Sequence, residues 1–280
     1  MPGPDQTLVG EMRVRTLSYA DTFAKLARRE GVGYGALLRA NPDVDPWIPG
    51  DGAQVVVPSA FLLPDAPREG IVVNLSELRM YHYQPQEGVV SVYPIGIGDE
   101  GRETPLMETV ITSKLENPTW FPPPSIIARH AQQGRVLPRR VPPGPDNPLG
   151  PFAIQLAKKG YFIHGTNQPI GVGRRVSSGC IRLYNPHIAD LVLRSKRGQA
   201  VLVIQQPYKV AWHEGALYLE AHPRLIADDL AAAEAAARID HSGFVARIIQ
   251  ATQSRPAEVD WPLAFATARA GRGLPVRISR

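Results

Sequence analysis

The sequence predicts an α+β protein: a mainly β core, a small βααβ unit ahead of it and a helical segment behind it. Three observations carry this. From Ile71 onward, short alternating runs separated by turn residues read as successive strands of a half-buried sheet. Ahead of them, residues 12 to 58 pass from period two to helical period and back. Beyond Pro207, an alanine-rich run and two further stretches carry helical periodicity. At 280 residues, 44% hydrophobic and 20% charged, the chain can bury the cores of two domains and has an ordinary globular composition.

In order along the chain, "MRVRTLS" alternates as a strand, and Asp21 is placed to cap the helix "TFAKLARREG", whose Phe23, Leu26 and Ala27 share one face before Gly31. A second helix, "YGALLRANP", stops at Asn41-Pro42, and "QVVVPS" closes the unit, with bounds 11–59. Residues 60–69, with Pro64 and Pro67, read as a linker. The next domain, 70–206, opens with the hairpin "IVVNLSELRMYHY" and the strands "VVSVYPIGIG" and "ETVITSKLE". Residues 116–150 are dense in proline, which lacks the ladder donor, so no central strand passes there. Trp120, Phe121, Ile126, Ile127 and Leu137 make that stretch a stiff loop walling a cleft; Trp120 reads either as cleft wall or as core. "PFAIQLAKKGYFIHG" returns to strands, "NPHIADLVLRS" is a helix starting near Pro186, and "AVLVIQQP" is a buried strand. Residues 207–280 hold the hairpin "KVAWHEGALYLEAH", turning at Glu214-Gly215, then the helices "IADDLAAAEAAARI", "GFVARIIQATQ" and "PLAFATARAG" and the strand "LPVRIS", expected to pack on the core as a scaffold.

A net charge of +5 favours an anionic partner, but the basic residues are dispersed, which argues against nucleic acid. The single cysteine excludes an internal disulfide and supplies no zinc cluster; no metal and no cofactor is implied. No apolar run approaches the eighteen or so residues of a membrane span, and the polar residues after Pro4-Asp5 are no signal-peptide core. The chain is therefore cytosolic, or its export signal has been removed.

Cys180 is either a small buried side chain or a nucleophile. Its neighbours favour chemistry: Ser177, Ser178 and Gly179 allow a sharp turn whose N–H groups point outward, as an oxyanion requires. A thiol of pKa about 8.5 needs an imidazole to take its proton, and His164, closing the strand "YFIH", is the best placed. His82, His213 and His222 sit in hairpins expected at the surface, His130 and His241 in polar segments, and His187 at a helix start where it packs or caps.

"IHGTN" followed by "RVSSGCIRL" resembles the signature of the YkuD-type L,D-transpeptidases, and "LPDAPREGIVVNLSELRMYHY", "YPIGIG", "NPTW" and "PGPDNPLG" extend the likeness to the ErfK/YbiS/YcfS/YnhG branch over nearly the whole chain. The βααβ unit resembles a LysM module, with Ala20-Asp21-Thr22 where such modules often begin Gly-Asp-Thr. The resemblance implies a β-sandwich-like catalytic core and a periplasmic enzyme. Cys180 would attack the carbonyl between meso-diaminopimelate and D-alanine of a tetrapeptide stem, with His164 as base and the Gly165 carbonyl orienting the imidazole. The thioester would pass to an amine of another stem or of an envelope lipoprotein or outer-membrane protein. Substrate contacts fall to Ser177, Ser178, Gly179, Arg182, Thr166, Asn167 and Trp120, and the partners are peptidoglycan stem peptides and glycan. Two positions depart from the family pattern: Ser178 replaces the usual histidine, and Arg182 stands where an asparagine is often found and suits two-pronged pairing with a carboxylate. Arg174 and Arg175 read equally as a solvated face or as substrate contacts. Competing readings are a peptidoglycan binder without turnover, a carboxypeptidase that uses water, and a cytosolic thiol enzyme acting on another amide.

Overall fold

The computed structural model describes residues 7–223, 242–253 and 255–280; the alanine-rich run expected to be helical at 226–239, and His241, lie outside them. Strands β1 (Leu8–Gly10) and β2 (Arg13–Thr16) lead into helices α1 (Phe23–Glu30) and α2 (Tyr34–Ala40), and β3 (Gln54–Val57) returns antiparallel to β2. Phe23, Leu26, Leu37, Val55 and Val57 form a core of their own. The cap of α1 is Thr22, whose hydroxyl accepts from Lys25 N–H, and not Asp21. Asp21 instead accepts from the Ser18 N–H and hydroxyl and from Arg29, which clamps the turn before the helix. Buried Asn41 ties the unit together: Nδ2 donates to Leu37 O and Val56 O, and Oδ1 accepts from Val56 N–H at 2.7 Å.

The expected linker at 60–69 begins as a strand. β4 (Ala60–Leu62) pairs antiparallel with β1, burying Ala60 and Leu62, so apolar spacing prevails where the nearby prolines had suggested a tether. Next come β5 (Ile71–Asn74), β6 (Arg79–Gln84), β7 (Val89–Pro94), β8 (Ile97–Gly98) and β9 (Met107–Glu116). The proline-rich stretch then contains a helix, α3 (Pro124–Gln132), where a loop alone was expected. Its prolines sit at the first turn, where the missing N–H costs nothing. No residue of α3 is buried and Phe121 is 66% exposed, so that part of the stretch is a projecting rim.

β10 (Phe152–Leu156), β11 (Phe162–His164), β12 (Arg175–Ser177), β13 (Ile181–Arg182), α4 (Asn185–Arg194) and β14 (Ala200–Ile204) complete the domain. Eight strands form one curled mixed sheet in the order β13-β11-β10-β9-β14-β5-β6-β7. Ile188 and Leu191 of α4 pack with Ile154, Ile163 and Ile181 on one face of this sheet.

The C-terminal segment adds β15 (Tyr208–His213), β16 (Ala216–Ala221), α5 (Ser242–Gln253), α6 (Trp261–Ala270) and β17 (Val276–Arg277). The β15–β16 turn falls at Glu214 and Gly215, both at positive φ. Where this segment, β4 and β6 converge, a buried ionic cluster joins all three. Lys209 Nζ donates to Glu77 at 2.7 Å and to Leu62 O at 2.6 Å; Arg79 Nη1 donates to Glu220 at 2.7 Å; Leu62 N–H donates to Glu220. His222 and His82, expected at the surface, are 2% and 1% exposed because neighbouring elements cover both hairpins.

The βααβ unit is fastened to the catalytic domain. Tyr34 N–H donates to Val172 O at 3.2 Å, the Tyr184 hydroxyl to Val32 O at 3.0 Å, and the Arg174 guanidinium lies 4.1 Å from the Tyr34 ring centroid. Among the described residues no helix is long and apolar enough to cross a membrane.

Candidate active site

β11 and β13 run parallel, with Ile163 opposite Ile181 and His164 opposite Arg182. Since side chains alternate along a strand, Ile163 and Ile181 enter the α4 side while His164 and Arg182 face the other way. Cys180, one residue ahead of β13, continues that alternation on the His164 side. The charge of Arg182 acts on both the imidazole and the thiol, as this common face requires.

His164 is 4% exposed, and its Nδ1 lies 2.7 Å from the Gly165 carbonyl oxygen, which leaves Nε2 as the free ring nitrogen. Burial, and then the nearby Arg182 cation, lower the imidazole pKa to about 4, against the Gly165 carbonyl, which raises it. Burial pushes the Cys180 thiol up, opposed by the Phe162 N–H and by Arg182. Both shifts favour the neutral forms, imidazole and thiol. The thiol donates to Gly160 O at 3.7 Å.

The turn before Cys180 is clipped from within. Ser177 is buried; its hydroxyl donates to Cys180 O at 2.6 Å and accepts from Gly179 N–H at 3.2 Å. The expectation that Ser177 touches substrate thus gives way to a role in shaping the turn, and the Gly179 N–H is already engaged. Gly179 stands at φ +101 with a Cβ position 3.1 Å from Tyr161 Cε1, so only glycine fits. Ser178, half-buried, accepts from Arg102 Nη1 at 3.4 Å.

Arg182 carries the open charge of the site. Its Nε is buried without a hydrogen-bond partner, and no carboxylate pairs with it among the described residues. Thr166 is buried, its N–H donating to Asn185 Oδ1 at 2.8 Å, and exposed Asn167 donates to Asp146 O at 3.0 Å. Both belong to the loop after His164. Trp120 is half-buried and pairs through its backbone with Val141, in the rim and not in the turn. Arg174 is stacked on Tyr34, and Arg175 reaches Gly98 O at 3.4 Å and Glu103 at 3.7 Å.

Three residues that sequence reasoning missed hold this arrangement. Thr104 Oγ1 donates to Gly179 O at 2.9 Å and accepts from Gly98 N–H at 3.0 Å. Asn185 Oδ1 would meet a Cβ on Gly165 at 2.5 Å, so the glycine after the histidine is sterically required. Buried Asn147 gathers the carbonyls of Pro118, Val141 and Pro142 and closes the proline-rich loop on itself. Asn185 left a trace as an Asx residue beside Pro186 at a helix start, and Asn147 as part of the motif "PGPDNPLG"; Thr104 left none.

Residues 68–204 match the YkuD family, the L,D-transpeptidase catalytic domain. The "Probable L,D-transpeptidase YcfS" of Escherichia coli is 46% identical over 231 residues, 80% of this chain and 72% of that one. The chain belongs to the YkuD family of L,D-transpeptidases. The "Probable L,D-transpeptidase ErfK/SrfK" and "Probable L,D-transpeptidase YbiS" of the same organism are 42% and 38% identical, covering 80% and 79% of this chain and 74% of each relative. Among solved structures, L,D-transpeptidase 3 from Mycobacterium tuberculosis aligns at 17% identity and a TM-score of 0.38 over 70% of this chain and 93% of that one. In this L,D-transpeptidase the family match covers the curled sheet, both motif strands and α4.

Proposed function

We propose that the chain carries out L,D-transpeptidation on peptidoglycan with Cys180 as nucleophile and His164 as general base. The observation that supports this most directly is that Arg182, opposite His164 in the parallel register of β11 and β13, acts electrostatically on both the His164 imidazole and the Cys180 thiol. Neutral His164 takes the thiol proton as Cys180 Sγ bonds to the carbonyl carbon of meso-diaminopimelate. The C–N bond to D-alanine then breaks, and the proton leaves with the D-alanine amine. An acceptor amine attacks the thioester and returns the thiol. Arg182, with its buried unpaired Nε, suits a stem carboxylate. Acceptors are another stem, forming a 3→3 cross-link, or an envelope protein. The unit at 11–59, whose strand–helix–helix–strand order matches a LysM module, is read as a glycan contact, the domain at 70–206 as catalytic and 207–280 as scaffold, in a periplasmic protein.

Intact-mass measurement tests the reading. The catalytic domain of the Enterococcus faecium L,D-transpeptidase has been solved acylated by ertapenem, which makes that compound the probe. The wild-type chain gains one adduct and Cys180→Ala none; no adduct on wild type favours the inert binder. With tetrapeptide stems, tripeptide as the sole product identifies the carboxypeptidase instead.

A further inference from the structure

A cavity of about 850 Å3 lies in the seam between the βααβ unit and the catalytic domain. Arg28 and Arg29 from the end of α1 form one wall, and Asn147, Thr166, Asn167 and Asn185 belong to the other. The hydrogen bonds of Tyr34 to Val172 and of Tyr184 to Val32 cross the same seam, so the cavity is preformed and not a gap between tethered parts. Its volume is in the range of ligand pockets, which favour domain boundaries.

The charge of the cavity is unbalanced. Arg29 is held by Asp21 at 2.9 Å, and Glu30, the carboxylate of the wall, is held by Arg15 at 2.9 Å and Arg13 at 3.3 Å. Arg28 is exposed and has no carboxylate partner among the described residues. An open guanidinium lining such a cavity selects a carboxylate. The wall is joined in sequence to the reacting centre: Thr166 is two residues after His164, which limits their Cα separation to about 7 Å.

We propose that this seam cavity is a second subsite for an acidic peptide and that Arg28 pairs with a peptide carboxylate remote from the reacting bond. The inference rests on the transpeptidase reading and locates a part of the substrate that the Cys180 turn does not hold. The βααβ unit thereby contributes to peptide binding in addition to any contact with glycan.

The test uses the full chain and a synthetic tetrapeptide stem, either with free carboxylates or as carboxamides at its C-terminus or at its glutamate. Release of D-alanine reads the peptide as donor; aminolysis of the acyl-enzyme reads it as acceptor. Arg28→Glu raises KM at least tenfold in one of these arms with kcat held within about twofold, and Arg28→Lys recovers most of the loss. One carboxamide peptide loses the same factor on wild type and nothing more on Arg28→Glu, which identifies the carboxylate bound. Unchanged KM in both arms, or full discrimination against both carboxamides by Arg28→Glu, overturns the proposal. If wild type releases no D-alanine, the transpeptidase reading fails instead. Calorimetric titration of the tetrapeptide into Cys180→Ala then still decides the site: tenfold weaker binding on adding Arg28→Glu supports it, and equal binding refutes it.

Discussion

Gly35 and Gly173 meet backbone to backbone across the seam: a Cβ on Gly35 would stand 2.6 Å from Gly173 O. Gly33 approaches the same residue, its Cβ position 3.1 Å from Gly173 Cα. From Gly173 the chain runs straight into the turn that presents Cys180. Gly35→Val therefore pushes the unit off this segment. Overpacking of this kind costs about 1–3 kcal/mol. Thermal unfolding is expected to show that loss, and ertapenem acylation to slow with it; wild-type acylation in a destabilised variant would uncouple the unit from the turn.

With His164 as the proposed base, its ionisation is expected to set the acid limit of the reaction. With its imidazole pKa lowered to about 4, the base stays neutral well below the ordinary histidine range near 6.5. The acid limb of kcat/KM is expected near pH 4, and a limb centred at 6.5 would mean that the ring is solvated in the free enzyme.

The same shift bears on stability. Unfolded His164 takes up a proton near pH 6.5 while the folded ring resists until about pH 4, so between those values the unfolded state binds more protons and stability falls as pH falls. His222, lowered to about 4 chiefly by burial, and His82 and His187, also lowered, act in the same direction. At pH 4.5 the loss from His164 alone is about 2 kcal/mol. Urea midpoints at pH 7 and 4.5 measure it, and His164→Gln should flatten the dependence by that amount.

Thr104→Val leaves Gly179 O and Gly98 N–H without their partner behind the turn. Orphaning buried groups costs about 1–3 kcal/mol. The expected outcome is a lower melting temperature with slower thiol acylation, and Thr104→Ser should restore both.

Lys209→Met strands two carboxylates. Glu77 loses its ion pair at 2.7 Å and Glu220 its ion pair at 3.1 Å, leaving Arg79 as the remaining cation beside them. Removing one partner of a buried pair costs about 3–5 kcal/mol. A denaturant midpoint near wild type would show that the cluster adds no net stability to the junction.

Residues in local sequence determined much of this protein. The helices after Thr22 and Gly33, the turn at Glu214-Gly215, the strand that ends at His164 and the glycine-led turn before Cys180 are all written in runs of a few residues, because periodicity, capping and turn chemistry act over that range. Tertiary structure alone decided the rest. It turned Ser177 inward, buried His82 and His222, made a strand of Ala60–Leu62 and opened a cavity beside Arg28. Those outcomes depend on partners far along the chain, as Lys209 and Glu77 are at a separation of 132 residues, and no local pattern records which distant group will cover a side chain or satisfy its charge.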